Sequence, residues 1–274
     1  MPSFRSGKVT AILHERPGLQ RVEVDLGDGP EPAYVLTQLT GRIERGDRVV
    51  VNTTAVELGL GTGGWHVVHW NLERDAWSER GPGHIIKGRY TSLQADVGSA
   101  EEHATELVDV DSIEGMPVVA APLHSQVPAV AAAFKALAPR ARLAYVMTDG
   151  AALPLALSDL VAAMRARDMI DATVTSGHAF GGDYEAVSVF SALAVARHLA
   201  SADAAVVAMG PGIVGPAPAS ASRESKSGPC STRPRRWAVA RSHASGRRSL
   251  IRERVIRACR ITRSPPFASR AANG

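Results

Sequence analysis

Hydrophobic and polar positions change rhythm part-way along this chain. In GKVTAILHE and LQRVEVDLG, apolar residues alternate in part with polar ones, the two-residue period of half-buried strands, and Arg16-Pro17-Gly18 joins the two runs. PAYVLTQLTG reads as a third strand, and RIERGDRVVVNTTA as a turn at Gly46-Asp47 leading into a fully apolar strand, Val49 to Val51. LGLGTGGWHVVHWNL supplies a glycine-rich bend and then another strand. No Lys follows those glycines and no helix opens after them, so neither a P-loop nor a dinucleotide fingerprint fits. His66 and His69, three apart in a strand, fall on opposite faces and make poor partners for one metal. Short strands separated by closely spaced turns predict a β-rich, barrel-like module over residues 1–80.

NLERDAWSERGPG is polar, ends in Gly-Pro-Gly and reads as a linker. Beyond it, Lys87, Arg89 and Tyr90 with Thr91 and Ser92 form a basic-aromatic cluster that reads equally as an anion seat or an exposed loop. The rhythm then becomes strand–helix alternation. MPVVAAPL, RLAYVMTDG, DATVTSG and DAAVVAMGPG are short apolar runs of the buried parallel type. Between them, HSQVPAVAAAFKALAP opens a helix near Ser125, and LPLALSDLVAAMRARDMI and EAVSVFSALAVARHLASA supply two more. The expected fold class is α/β: the barrel-like module, then a mostly parallel, Rossmann-like βαβ sheet domain over residues 84–215.

In such a sheet, ligands bind outside the carboxyl ends of the strands. The loops there carry His124-Ser125-Gln126, Thr148-Asp149-Gly150, Ser176-Gly177-His178 with Gly181-Gly182-Asp183-Tyr184-Glu185, and Gly210-Pro211-Gly212. The candidate catalytic residues are therefore His124, Asp149, His178, Asp183 and Glu185. The candidate ligand-binding residues are Ser125, Thr148, Gly150, Gly181, Gly182, Gly210 and Gly212. Three chemistries remain open. A His paired with Asp149 or Asp183 would give a general base with its orienting carboxylate. The same side chains suit a divalent metal, though no spacing specifies one and no cofactor is identified. Glycine amides and helix starts at Ser125 and Glu185 would suit an anion. Asp183 and Glu185 also fit the first turn of a helix, and Asp149-Gly150 an ordinary turn. His198, in a helix's last turn, carries no functional expectation.

Composition changes this picture in one place. The apolar share of 45% is ordinary for a globular protein with a sizeable core. No run reaches the ~20 apolar residues of a membrane span, and the N-terminus lacks a signal-peptide core, so the expected location is the cytoplasm, with no membrane partner. The net charge of +4 hides an asymmetry. Residues 216–274 hold thirteen Arg and one Lys against Glu224 and Glu253, a net of +12, whereas residues 1–215 are net −8. Both cysteines, Cys230 and Cys259, lie in that last part.

LGLGTGGWHVV, GHIIKGRYTSLQ, LHSQVPAVAAAFK, YVMTDGAALPLA, DATVTSGHAFGGDYEAVSVFSAL and ADAAVVAMGPGIVG resemble the uncharacterised bacterial family DUF3866 over residues 7–215. The resemblance implies no activity; it implies that the rim loops belong to the part the family keeps. It breaks at Gly215, where family members look as if they continue Gly-Thr-Gly-Thr. Residues 216–274 instead hold ten Ala, ten Ser, six Pro and thirteen Arg with no Asp, the composition of GC-rich codons read out of frame. The expectation is a truncated sheet domain followed by an out-of-frame, disordered basic tail, with the run AAVVAM left with an unpaired edge or without a covering helix. The rival is a genuine basic arm that binds nucleic acid through phosphates, which would rest on the tail alone. The functional expectation is a small-molecule or anion-binding α/β domain, either a ligand binder or an enzyme, with its site on the strand-end rim. The alternative is a non-catalytic scaffold, and the oligomeric state is open.

Overall fold

The computed structural model describes residues 1–60 and 63–212; the expectations for residues 216–274 lie outside the described residues. The first part is a closed five-stranded barrel. Its strands are β1 (Phe4–Arg16), β2 (Leu19–Asp25), β3 (Pro30–Val35), β4 (Arg48–Asn52) and β5 (His66–Asn71), in the order β1-β2-β3-β5-β4. All neighbours are antiparallel except β3 and β5. The thirteen-residue β1 closes the barrel, because its first half pairs with β4 and its second half with β2. Gly7 lies at that crossing, where a Cβ would collide with the Asp25 carbonyl and Leu26, so only glycine lets the strands approach. The alternation seen in the sequence places Val9, Val22, Val24, Val35, Val49, Val51 and Val68 inside. The third strand stops at Val35, earlier than expected, and Thr37–Thr40 forms a helical turn, α1. A second such turn, α2, spans Thr54–Glu57. In β5, His66 is buried while the His69 ring packs against Phe4 at 5.1 Å, the opposite-face placement expected of them.

After the barrel come a two-stranded ladder, β6 (Ile86–Lys87) with β7 (Ala95–Asp96), and the short helix α3 (Ala100–His103). The parallel sheet contains β8 (Val118–Ala120), β9 (Leu143–Thr148), β10 (Ala172–Ser176), β11 (Tyr184–Ala186) and β12 (Ala204–Met209), in the order β11-β10-β9-β12-β8. Every neighbouring pair in it is parallel. Helices α4 (Val127–Leu137), α5 (Asp159–Arg165) and α6 (Val189–His198) cover it. Because side chains alternate along a strand, β9 feeds two cores at once. Leu143, Tyr145 and Met147 join Val127, Phe134, Val161 and Met164 on one face, while Ala144 and Val146 join Val174, Ala192 and Val195 on the other.

Four details differ from expectation. β8 is a three-residue, partly exposed edge strand rather than a buried run. α4 starts at Val127 after a 3₁₀ turn over His124–Gln126, and α5 is a short helix that starts at Asp159 with Ser158 as its cap, after a separate 3₁₀ turn over Leu155–Leu157. Tyr184–Ala186 is a strand, so helix α6 begins only at Val189, where Ser188 and Ser191 cap it. Lastly, β12 lies between β9 and β8 and is no edge. Among the described residues the open edge falls on β8, while α3 packs at β11 at the other end, its Glu101 accepting the Val187 N–H at 2.8 Å.

Two arginines join the barrel to the α/β part. Arg16 and Arg21 meet Asp159 at 2.8 and 2.6 Å, and Arg16 also donates to the Ala156 carbonyl at 2.6 Å. Burial disfavours the charged form of Asp159, but the hydrogen bonds and charges of Arg21 and Arg16 outweigh it and hold the carboxyl below its usual range.

Candidate functional site

The rim loops are knitted to one another by their own backbones. The Phe180 N–H donates to Leu153 O at 3.0 Å and Leu155 N–H donates to Phe180 O at 2.9 Å, while Ala152 N–H donates to Pro211 O at 2.9 Å. This last contact ties the loop after β9 to the loop after β12. A Cβ at Gly210 would strike the Ala152 carbonyl, so that glycine serves packing. Thr148 and Gly150 flank Asp149 beside Met209, and Ser125 is exposed on the 3₁₀ turn; no hydrogen-bond partner is found for the Thr148 and Ser125 hydroxyls among the described residues.

His124 is buried under the rim and works internally. The Tyr145 hydroxyl donates to Met209 O at 2.9 Å, so it accepts from His124 Nδ1 at 3.1 Å; Nε2 then accepts from Ser158 Oγ at 2.7 Å. Ser158 Oγ in turn accepts the Val161 N–H and caps α5. Burial pushes the His124 pKa down and the Tyr145 pKa up. This network ties the ends of β8, β9 and β12 to α5.

His178 and Asp149 do remain together on the rim, though not as an acid–base pair. Asp149 Oδ2 accepts the main-chain N–H of His178 at 3.0 Å, and the imidazole Nδ1 accepts the Gly88 N–H at 3.1 Å. Among the described residues none of the four rim combinations joins a His ring to a carboxylate, so the expected oriented base is not built. No group of three or more His, Cys, Asp or Glu suited to a metal ion occurs among the described residues.

Asp183 leaves the rim. The chain turns back after β10, and Asp183 lies beside Thr173, three residues before the strand's end, about 10 Å lower at ~3.3 Å per residue. Its carboxylate accepts from Thr173 N at 2.8 Å and Thr173 Oγ1 at 3.0 Å and pairs with Arg165. Burial opposes its ionisation, but the Arg165 and Thr173 hydrogen bonds prevail and keep its pKa low. Glu185 is not in a helix's first turn: it points into the protein and is only 8% exposed. It accepts from Lys87 Nζ, Thr175 Oγ1 and the Gly181 N–H, each at 2.6 Å. The Gly182 N–H goes to Thr175 Oγ1 at 3.2 Å, so both glycine amides expected to face an anion are spent internally.

Sequence reasoning missed Lys87 as a buried residue. It is 3% exposed, and its ammonium donates to Glu185, to Ala179 O at 2.6 Å and to Thr175 O at 3.2 Å. Three acceptors satisfy all three of its protons. This pin fastens the β6–β7 strap across the sheet, and Glu102 closes the strap's base by accepting the His84, Ile85 and Ser99 N–H groups.

A sizeable concavity lies beside the rim. A cleft of about 940 Å³ opens between α1, contributing Gln38 and Leu39, the segment from Trp77 to Ala104, and the loop Phe180–Glu185. Gly181, Gly182, Asp183 and Glu185 line it, whereas His124, Asp149, His178 and Gly210 do not. Trp77, Leu39, Pro82 and Phe180 give it apolar surface; Arg80, His103 and Glu106 carry charge-capable groups into it. The polar, Gly-Pro-Gly-terminated pattern of NLERDAWSERGPG reads as a linker or hinge and concealed this placement. Its one aromatic, Trp77, was the available signal.

A family model described as "Protein of unknown function (DUF3866)" matches residues 32–220, more than two thirds of the chain, which leaves β1 and β2 outside the match. No curated protein and no solved structure matches the chain.

Proposed function

The chain belongs to the DUF3866 family, and we propose that it is a small-molecule-binding protein whose ligand occupies the cleft bounded by α1, the Trp77–Ala104 segment and the Phe180–Glu185 loop. One observation carries this reading. Three stretches far apart in sequence enclose about 940 Å³, within the size range of ligand pockets, and they combine aromatic walls with a few polar groups. The ligand class that suits these walls is a small metabolite with a flat apolar body against Trp77 and Phe180 and a polar edge toward Arg80, His103 or Gln38. This reading sets the ligand beside the strand-end rim rather than on it, since the rim loops of the described residues are hydrogen-bonded to one another while Gly181, Gly182, Asp183 and Glu185 line the cleft. The proposed setting is the cytoplasm; among the described residues no helix is long and apolar enough to cross a membrane.

A thermal-shift screen of metabolites on the full chain tests the proposal. A compound that raises the melting temperature should lose its effect in Ala104→Trp, which fills the cleft from its wall, with the unliganded melt unchanged. Stabilisation that persists in Ala104→Trp would place the ligand elsewhere. Failure of every compound, together with a co-purifying protein, would favour the scaffold role instead.

Residues 216–274 are read as an out-of-frame translation, on the strength of their composition and of a family match that stops at residue 220. Translating the gene in all three frames tests this. A shifted frame should restore Gly-Thr-Gly-Thr and further strand–helix alternation; its absence would leave a genuine basic arm.

A further inference from the structure

The Lys87-pinned strap holds Arg89 against His178, and this contact has an unusual composition. The Gly88 main-chain N–H can only donate, so His178 Nδ1, 3.1 Å away, is an acceptor. In the neutral ring the proton then resides on Nε2. Arg89 Nη2, another obligatory donor, lies 3.3 Å from that same Nε2. Two N–H donors thus face one another with no acceptor between them, and among the described residues Arg89 has no carboxylate partner. His178 does not turn away, because its ring is held by Gly88 and its main chain by Asp149. The strap is fixed as well: Thr91 Oγ1 donates to Gly88 O at 2.6 Å, and Tyr90 adopts φ 62° with its side chain fully exposed.

We propose that Arg89 and His178 form a seat for a small oxyanion, a phosphate or carboxylate group, separate from the cleft. One anionic oxygen at about 2.8 Å from both nitrogens would accept from each and convert the donor–donor contact into two charge-assisted hydrogen bonds. Asp149 sets the limit on affinity, because its carboxylate lies on the main-chain side of His178 and repels a second negative charge.

The basic residues 216–274 would also attract anions, so the test needs a residue-specific signal. The full chain labelled with ¹⁵N-histidine is titrated with inorganic phosphate and, separately, acetate, while long-range ¹H–¹⁵N spectra follow the His178 ring, assigned by His178→Gln. The expected result is a saturable shift of His178 Nε2, weakened about tenfold or more by Arg89→Ala and strengthened by Asp149→Asn. Arg89 is exposed and pins nothing, so its variant keeps the fold. An Nε2 signal that neither anion moves, or one that moves identically in Arg89→Ala, overturns the proposal. The cleft reading is independent of either outcome.

Discussion

The barrel and the parallel sheet solve burial in opposite ways. The barrel encloses an aliphatic interior in which valine predominates, and keeps its buried polar groups in the wall, where Gln20 donates to Ile43 O at 3.2 Å and accepts its N–H at 3.0 Å, His66 meets Glu31 at 2.8 Å and Asn71 donates to Asp47 at 2.7 Å. The sheet hides His124, Tyr145 and Ser158 on one face, and Lys87, Glu185 and Thr175 beside β10. These six side chains are all hydrogen-bonded and join segments far apart in sequence, whereas on the barrel side the buried His66 Nδ1 and Arg21 Nε have no partner among the described residues. Apolar burial is non-directional and fixes only which face turns inward, whereas a buried ion pair or imidazole requires one geometry. The barrel therefore acts as a wall, and the sheet half positions loops.

This contrast can be broken by measurement. The largest effect belongs to the buried pin. Lys87→Ala leaves the Glu185 carboxylate buried without its cation and should cost about 3–5 kcal/mol in chemical denaturation, while Lys87→Met with Glu185→Leu should recover most of the loss. In the barrel, Ile43→Val should cost only about 0.5–1.5 kcal/mol. Equal losses in the two halves would erase the distinction.

The next effect comes from His124. Burial depresses its pKa, so the folded state prefers the neutral ring. The stability this confers is complete above the unfolded histidine's pKa, near 6.5, and is lost as pH falls below it, with a limiting slope of about 1.4 kcal/mol per pH unit. Urea titrations at pH 7.5 and 5.5 should show that loss, and His124→Asn should flatten it. A pH-independent wild type would contradict the network.

Ser158→Ala removes the α5 cap and the His124 partner together and should cost about 1 kcal/mol, read from the same titrations. The smallest effect is at the joint. Asp159→Asn weakens a pair of half-exposed ion pairs and should cost roughly 0.5 kcal/mol; a loss several times larger would make barrel and sheet a single cooperative unit.

Much of this was legible locally. Partial alternation around Val22 and Val24 and the fully apolar run Val49–Val51 foretold barrel strands, and the apolar runs at Leu143–Met147 and Ala204–Met209 foretold the central strands. What local pattern does not carry is lateral order. Nothing within AAVVAM says that it inserts between β9 and β8. Tyr184–Ala186 was hidden because three residues are too few to show a strand period and the helical period of α6 follows at once. Glu185 looked like a helix-start carboxylate because its partner, Lys87, is 98 residues away. Asp183 looked like a rim residue because the return of the chain beside Thr173 depends on that unseen strand. The cleft was invisible for the same reason, since its walls come from three distant stretches.

The most direct test of ligand binding in the cleft is the indole N–H spectrum of the full chain, whose four tryptophans are Trp65, Trp70, Trp77 and Trp237. Each signal is assigned by a Trp→Phe variant, and a stabilising compound from the metabolite screen is titrated in. Trp77, which lines the cleft, should shift saturably while Trp65 and Trp70 of the barrel segment stay in place. A compound that moves Trp65 or Trp70 and leaves Trp77 untouched would contradict the account.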